Sequence, residues 1–469
     1  MEISKLLNPL VAKRPRLDNH TLHQQQTSIG ALLPVELVAH FMLYFEAWDR
    51  RPLSLVCKRW FNSYNLFHRN SFFAPAAHVR HKNVTKRSLL RSFTRYGHRA
   101  RYMLITSEIL VAMLQLEPSF ANLIPNVQHL YIPLDQPIPS EQLFNGFVNK
   151  LLELRKLYMY DQGFAPDEHF SAELDKAIAN KPFLRIIQLD DIELNSHHFP
   201  GPITKAMASQ FIQLELPVSG FEAADTMQAF APFVNLRTLG LIAITTIDVM
   251  HAAVEVLTDP KNFPHLDYLL FITDLDIMRT APLNTATNGV VTAVSLIERV
   301  CGINRNRFRL YLGMNLGACS GSDMELIESE REFVVNLGKK HADILYGLKL
   351  MHRQPLGDYD PLTTFLYDAA PRYPMLAHLR LFASPTSKTK GRLVDALNNE
   401  FLLPNLQSVL VQVDGSQDAE WIEGYSPVSP SRGMYFEVVD VPQHDLIREA
   451  NENGTAVRSI FAPDWDGKS

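Results

Sequence analysis

Leu154–Met159, LRKLYM, places apolar side chains at its first, fourth and sixth positions, Leu154, Leu157 and Met159, with Arg155, Lys156 and Tyr158 between them. In an extended chain successive side chains face opposite ways, so Leu157 and Met159 share one face while Lys156, Tyr158 and Tyr160 share the other. So short a stretch cannot bury its apolar face unaided. The same spacing recurs on both sides, at Ala100/Met103/Ile105 and Val127/Leu130/Ile132, then at Leu184/Ile187/Leu189, Phe211/Leu214/Leu216, Leu236/Leu239/Leu241 and Leu266/Leu269/Phe271. Beyond a weaker copy at Leu310/Leu312 come Leu345/Leu348/Leu350, Leu376/Leu379/Leu381 and Leu406/Val409/Val411. Most steps are roughly 25 to 31 residues, the range in which one repeat is one supersecondary unit and its neighbours cover what it leaves exposed. Pro125-Asn126 and Pro404-Asn405, with Pro264 and Pro374 in the same place, favour a turn into each strand.

Helical return segments fit between strands at 140–152, 172–179 and 221–231. The two longest steps hold a turn-rich stretch at 280–289, an apolar helix at 290–300 and a second helix at 323–340. The spacing resembles the leucine-rich repeat, in which each unit contributes one parallel strand and a return segment. The asparagine that usually follows the strand motif is mostly missing, which makes this an irregular version. The resemblance implies an α/β fold, an irregular leucine-rich-repeat solenoid with a parallel concave sheet and a mostly helical convex side. In that geometry the residues alternating with the buried leucines face a partner. Tyrosine and arginine dominate binding hot spots, so Tyr158, Tyr160, Tyr268, Leu270, Ile272, Tyr311, Arg380 and Phe382 are the expected substrate-binding residues, with Tyr268, Leu270 and Ile272 forming an exposed apolar patch.

Ahead of the repeats, Leu33–Trp60 carries helical groups at Leu33/Leu37/Phe41, Phe41/Leu43/Phe45 and Leu53/Val56/Trp60, broken at Asp49 and Pro52. About forty residues this rich in large apolar side chains bury too little on one another, so the stretch must dock on something. The Leu33-Pro34 start, Glu36-Leu37, Phe41, Asp49 and the close Val56-Cys57-Lys58-Arg59-Trp60 resemble the F-box, a small all-α motif; Arg50 departs from the apolar residue usual there. The resemblance implies a Skp-type adaptor and a cullin scaffold as partners, with Leu33, Pro34, Glu36, Leu37, Phe41, Phe45, Leu53, Val56, Cys57 and Trp60 as adaptor-binding residues. It further implies a substrate receptor of an SCF-type ubiquitin ligase acting on a protein substrate. The alternative is a non-ligase repeat scaffold that uses the same surfaces.

The 469 residues therefore divide into a tail at 1–29, the F-box at 30–72, a basic linker helix at 73–97, the solenoid at 98–433 and a C-terminal cap and tail at 434–469. Within the tail, Lys13, Arg14 and Arg16 resemble a short nuclear-import signal, so cytoplasm and/or nucleus is the expected location. A net charge of -5 points to neither nucleic acid nor a membrane as partner. Cys57, Cys301 and Cys319 form no spaced framework, which suits a reducing compartment. Gly313, Gly317 and Gly321 lack the lysine of a phosphate-binding loop, and His197-His198 are adjacent and cannot chelate as an i, i+4 pair would. The expectation is a non-catalytic protein with no metal and no cofactor.

Overall fold

Every copy of the apolar spacing, the weak one included, makes one strand of a single parallel sheet. The computed structural model describes residues 71–74, 85–161, 166–195, 197–221, 230–259, 261–285, 289–303, 308–316, 324–351, 364–382, 395, 399, 401–406, 408–413 and 435–440. The chain divides into two units, Met1–His68 and Arg69–Ser469. The F-box-like residues from Leu33 to Trp60, and Lys13, Arg14 and Arg16, lie outside the described residues.

In the second unit the strands are β1 (Ser71–Ala74), β2 (Tyr102–Ile105), β3 (His129–Leu134), β4 (Lys156–Asp161), β5 (Ile186–Asp190), β6 (Gln213–Pro217), β7 (Thr238–Ile244), β8 (Tyr268–Asp276), β9 (Leu283–Thr285), β10 (Gly289–Val291), β11 (Arg309–Asn315), β12 (Leu345–Met351), β13 (His378–Phe382), β14 (Ser408–Val413) and β15 (Tyr435–Asp440). All but β9 and β10 form one 13-stranded sheet in chain order, with every pairing parallel. Met103, Leu130, Leu157, Ile187, Leu214, Leu239, Leu269 and Leu310 are successive register partners, and all are buried. Each of the larger ones stabilises by about 1.5–3 kcal/mol, and only because the strands on either side cover it.

The return side is built of α1 (Lys86–Tyr96), α2 (Ser107–Leu116), α3 (Ser140–Phe144), α4 (Phe170–Ile178), α5 (Pro202–Ala206), α6 (Ile247–Thr258), α7 (Ala293–Cys301) and α8 (Met324–His341), joined by short 3₁₀ turns. The main core lies between these segments and the sheet: Ile109, Leu110 and Met113 of α2 and Leu296, Ile297 and Val300 of α7 belong to the same cluster as the strand leucines.

Repeats are tied to one another through the backbone and three kinds of side chain. The N–H groups of Ala100, Val127, Leu154, Leu184, Phe211, Leu236 and Leu266 each donate to the carbonyl three residues earlier, closing the same turn before each strand. Asn126 Nδ2 donates to His98 O at 2.6 Å and Asn235 Nδ2 to Ser209 O at 2.6 Å, each reaching into the preceding repeat. Aspartates cap neighbouring helices: Asp135 Oδ1 accepts from Glu108 N at 2.9 Å, and Asp167 Oδ2 from Ser140 N at 2.8 Å. Lys181 occupies a position filled elsewhere by Ile124, Leu151, Phe233 and Phe263; its stem is buried and Nζ donates to Asn149 O at 2.9 Å.

Several expectations need correction. β1 pairs with β2 ahead of residue 98, and the expected basic linker helix is α1. Phe93 of α1 is fully buried and meets Phe120 edge-on at 5.0 Å, while Lys86, Arg87, Arg91 and Arg95 stay exposed. Across the stretch at 280–289, β9 and β10 pair as an antiparallel hairpin, and α7 starts only at Ala293. There Thr292 and Ser295 form a reciprocal cap, each side-chain oxygen accepting from the other's backbone N–H at 3.1 Å. The expected helix at 140–152 is broken into α3 and a 3₁₀ turn at Val148–Lys150. At the far end the expected cap at 434–469 includes β15, which pairs with β14 as a further strand of the sheet.

Candidate functional site

The sheet face turned away from the main core holds the residues that alternate with the buried ladders. Tyr131, Tyr158, Gln188, Glu215, Gly240, Leu270, Tyr311, Gly347 and His378 are successive register partners on it. Three regions follow one another along this row.

On β3 and β4 the face is aromatic and half-buried. The Tyr131 and Tyr158 rings lie 5.7 Å apart, Tyr158 and Tyr160 5.5 Å apart, and Lys156 Nζ stands 5.3 Å from the centre of the Tyr131 ring. A cation over a tyrosine face is attracted to the ring and holds both groups in place. His129, at the start of β3, is pulled down to about 4, first by burial and then by the charges of Lys156 and Arg155.

On β5 and β6 the face is polar and closed. Gln188, Gln213 and Glu215 are buried, and Gln213 Nε2 donates to Glu215 Oε1 at 2.6 Å. Burial pushes the Glu215 carboxyl up to about 7, against the pull of the Gln213 hydrogen bond and the Lys156 charge. The acid thus keeps its proton well above the usual carboxylate range.

Across β7, β8, β11 and β12 an apolar cluster occupies this face. Ile242, Tyr268, Leu270, Ile272, Tyr311, Tyr346 and Ala377 form a second core, separate from the main one. Tyr268 and Tyr346 meet edge-on at 5.7 Å, and the Arg309 guanidinium carbon sits 5.2 Å from the Tyr346 ring centre. The expected exposed patch is therefore a buried cluster: Leu270 and Tyr311 are fully buried and Ile272 and Tyr268 nearly so. Glycines on the next strand help close it. A Cβ on Gly347 would lie 2.0 Å from Tyr311 Cδ2 and one on Gly313 2.9 Å from Ile272 Cγ1, so these side chains lie flat over bare backbone.

Of the expected substrate-binding residues, the structure groups Tyr158 with Tyr160 on the half-buried end and Tyr268, Leu270, Ile272 and Tyr311 in the closed cluster. Arg380 and Phe382 lie on β13 as register partners of Lys349 and Met351. Sequence reading missed Ile242, Tyr346 and Ala377. Tyr346 enters the cluster because the register between β11 and β12 shifts, pairing Leu310 with Leu345 but Tyr311 with Gly347 and leaving Tyr346 as an extra residue. Nothing in the local spacing announces that bulge.

Among the described residues no group of three His, Cys, Asp or Glu side chains could hold a metal ion, and no helix is long and apolar enough to cross a membrane. Cys301 is buried in α7, where burial pushes its thiol upward, so it remains protonated at neutral pH. What the face presents at β3 and β4 is half-buried aromatic rings beside the Lys156 ammonium. No family model matches the sequence, and no curated protein does. Among solved structures the chain is similar to one in the crystal structure of the Rad7 and Elc1 complex in yeast, at 13% identity over 86% of this chain and 92% of that chain, with a TM-score of 0.33.

Proposed function

We propose that this chain is the substrate-recognition subunit of an SCF-type cullin–RING ubiquitin ligase, acting in the cytoplasm, the nucleus or both. Its F-box-like stretch, Leu33–Trp60, docks on a Skp-type adaptor, and its leucine-rich-repeat solenoid holds a target protein. The observation that carries this reading is the co-occurrence, in one chain, of the Leu33-Pro34 start and Val56-Cys57-Lys58-Arg59-Trp60 close with a long parallel repeat sheet. The sheet's half-buried tyrosines suit target binding. On this reading the chain contributes no chemistry. It raises the local concentration of a target beside the loaded ubiquitin-conjugating enzyme, as any tether does.

The test is recovery of the adaptor and cullin with the tagged chain, wild type against Leu33→Ala/Pro34→Ala. Loss of both partners in the variant is the expected result. Undiminished recovery removes the adaptor assignment, and adaptor recovery without cullin favours a non-ligase scaffold.

A further inference from the structure

The end of the sheet at which the chain enters each strand forms a rim distinct from the tyrosine-bearing face. Four of the large exposed apolar side chains fall there, in the consecutive repeats of β4 to β7: Leu152, Phe183, Ile212 and Val234, at 57%, 43%, 38% and 42% exposure. Single exposed apolar residues need no explanation, but a run of them on one edge does.

Backbone hydrogen bonds place charged side chains in the same run. Arg185 N donates to Arg155 O, Ile212 N to Arg185 O and Arg237 N to Ile212 O, each at 2.9 Å. Arg155, Arg185, Ile212 and Arg237 therefore stand one per strand in a single row, about 4.8 Å between neighbours. Between β5 and β8 the rim opens into a cleft of about 400 Å³, lined by Arg185, Arg237 and His265 with Gln210, Ile212 and Asn235, and none of its lining residues is acidic. Arg185 Nη1 donates to Pro182 O at 3.0 Å and Leu184 O at 3.3 Å, which fixes where the guanidinium points. The same backbone bonds continue the row to Gln128 beyond Arg155 and to Asp267 beyond Arg237, and Glu153 lies two residues before Arg155 in the chain. The whole chain carries a net charge of -5, so the row is a local reversal of sign.

We infer that this rim is a second interaction surface, which takes an extended acidic segment of a partner protein. The segment's carboxylates face Arg155, Arg185 and Arg237, and its apolar side chains cover Phe183, Ile212 and Val234. Four strands span roughly 15 Å, the length of about five extended residues, so a short linear segment suffices. Arginine beside an exposed aromatic ring is the composition of an interface hot spot, and charge complementarity selects the acidic partner. The inference goes beyond the proposed function, because it concerns a different face and needs neither adaptor nor ligase.

The experiment uses the full chain and a fluorescein-labelled peptide of about ten residues alternating Glu and Leu, read by anisotropy at low and high salt. The expected result is saturable binding that weakens as salt screens the row. It should fall at least about tenfold in Arg185→Glu/Arg237→Glu, the loss of roughly one charge-assisted contact. Because Arg185 also ties backbone, Phe183→Ser, at a position 43% exposed, serves as the second variant and should weaken binding at both salts. Binding unchanged by these variants overturns the inference, as does binding lost in Tyr158→Ala/Tyr160→Ala instead. An RNA oligonucleotide of equal charge binding as tightly would make the rim a general polyanion site and sink it too. So would self-association in sedimentation that the peptide competes away, since the occupant would then be a second copy of this chain.

Discussion

Glu215 lies buried beside Gln213, over the bare backbone of Gly240, where a Cβ would come within 2.7 Å of its Cγ. Its carboxyl is raised from 4.5 to about 7 by burial, with Lys156 and Asp190 as the charged groups acting on it. The folded chain therefore keeps a proton that the unfolded chain gives up. The stabilisation this provides is complete below about pH 4.5 and is lost as pH rises to about 7. Glu215→Gln keeps the shape and an acceptor for Gln213 without the charge. In urea unfolding it should leave stability near pH 4.5 almost unchanged and raise it at pH 8 by on the order of 3 kcal/mol. Equal effects at both pH values would mean that the acid is not held neutral. Gly347 gives a second prediction at this scale. The Tyr311 ring fills the space that a Cβ there would take, so Gly347→Ala should destabilise by about 1–3 kcal/mol through overpacking, read as a lower denaturation midpoint with unchanged slope.

Between neighbouring elements, stability depends on polar side chains that reach from one repeat to the next. Asp175 of α4 accepts from Ile203 N at 3.2 Å, Thr204 N at 2.9 Å and Thr204 Oγ1 at 2.5 Å, and so caps α5. A helix of five residues is too short to hold itself, so its start depends on that carboxylate. Asp175→Ala leaves buried donors unmet and should cost on the order of 3 kcal/mol, with hydrogen exchange accelerated first at Ile203 and Thr204; protection that is lost everywhere at once would contradict the local role. The apolar ladders were readable in advance because Leu157 and Met159 depend only on alternation within one strand. Asp175 and Asn235 were not. Each acts on a carbonyl or N–H more than twenty residues away, and nothing in local spacing reports which groups the fold brings together. For the same reason Leu270 and Tyr311 read as exposed: closure of their cluster depends on Gly347 and on the bulge at Tyr346, which only the register between strands reveals.

Across the whole molecule, the sheet is a row of units in which each strand pairs only with the strands on either side of it. Such an array is long in surface and, on one face, divided into a half-buried tyrosine end and a closed apolar stretch. That division narrows the proposed target site to β3 and β4, around Tyr131, Tyr158 and Tyr160. On the proposed function, one chain joins an adaptor at the stretch near Leu33 to a target at the repeats. Reconstituted ubiquitylation of a client co-purified with the chain under proteasome inhibition tests it most directly, with Leu33→Ala/Pro34→Ala and Tyr158→Ala/Tyr160→Ala run beside the wild type. Conjugation is expected with the wild type only, the first variant losing adaptor but keeping client and the second losing client but keeping adaptor; conjugation that survives both substitutions would overturn the proposed function.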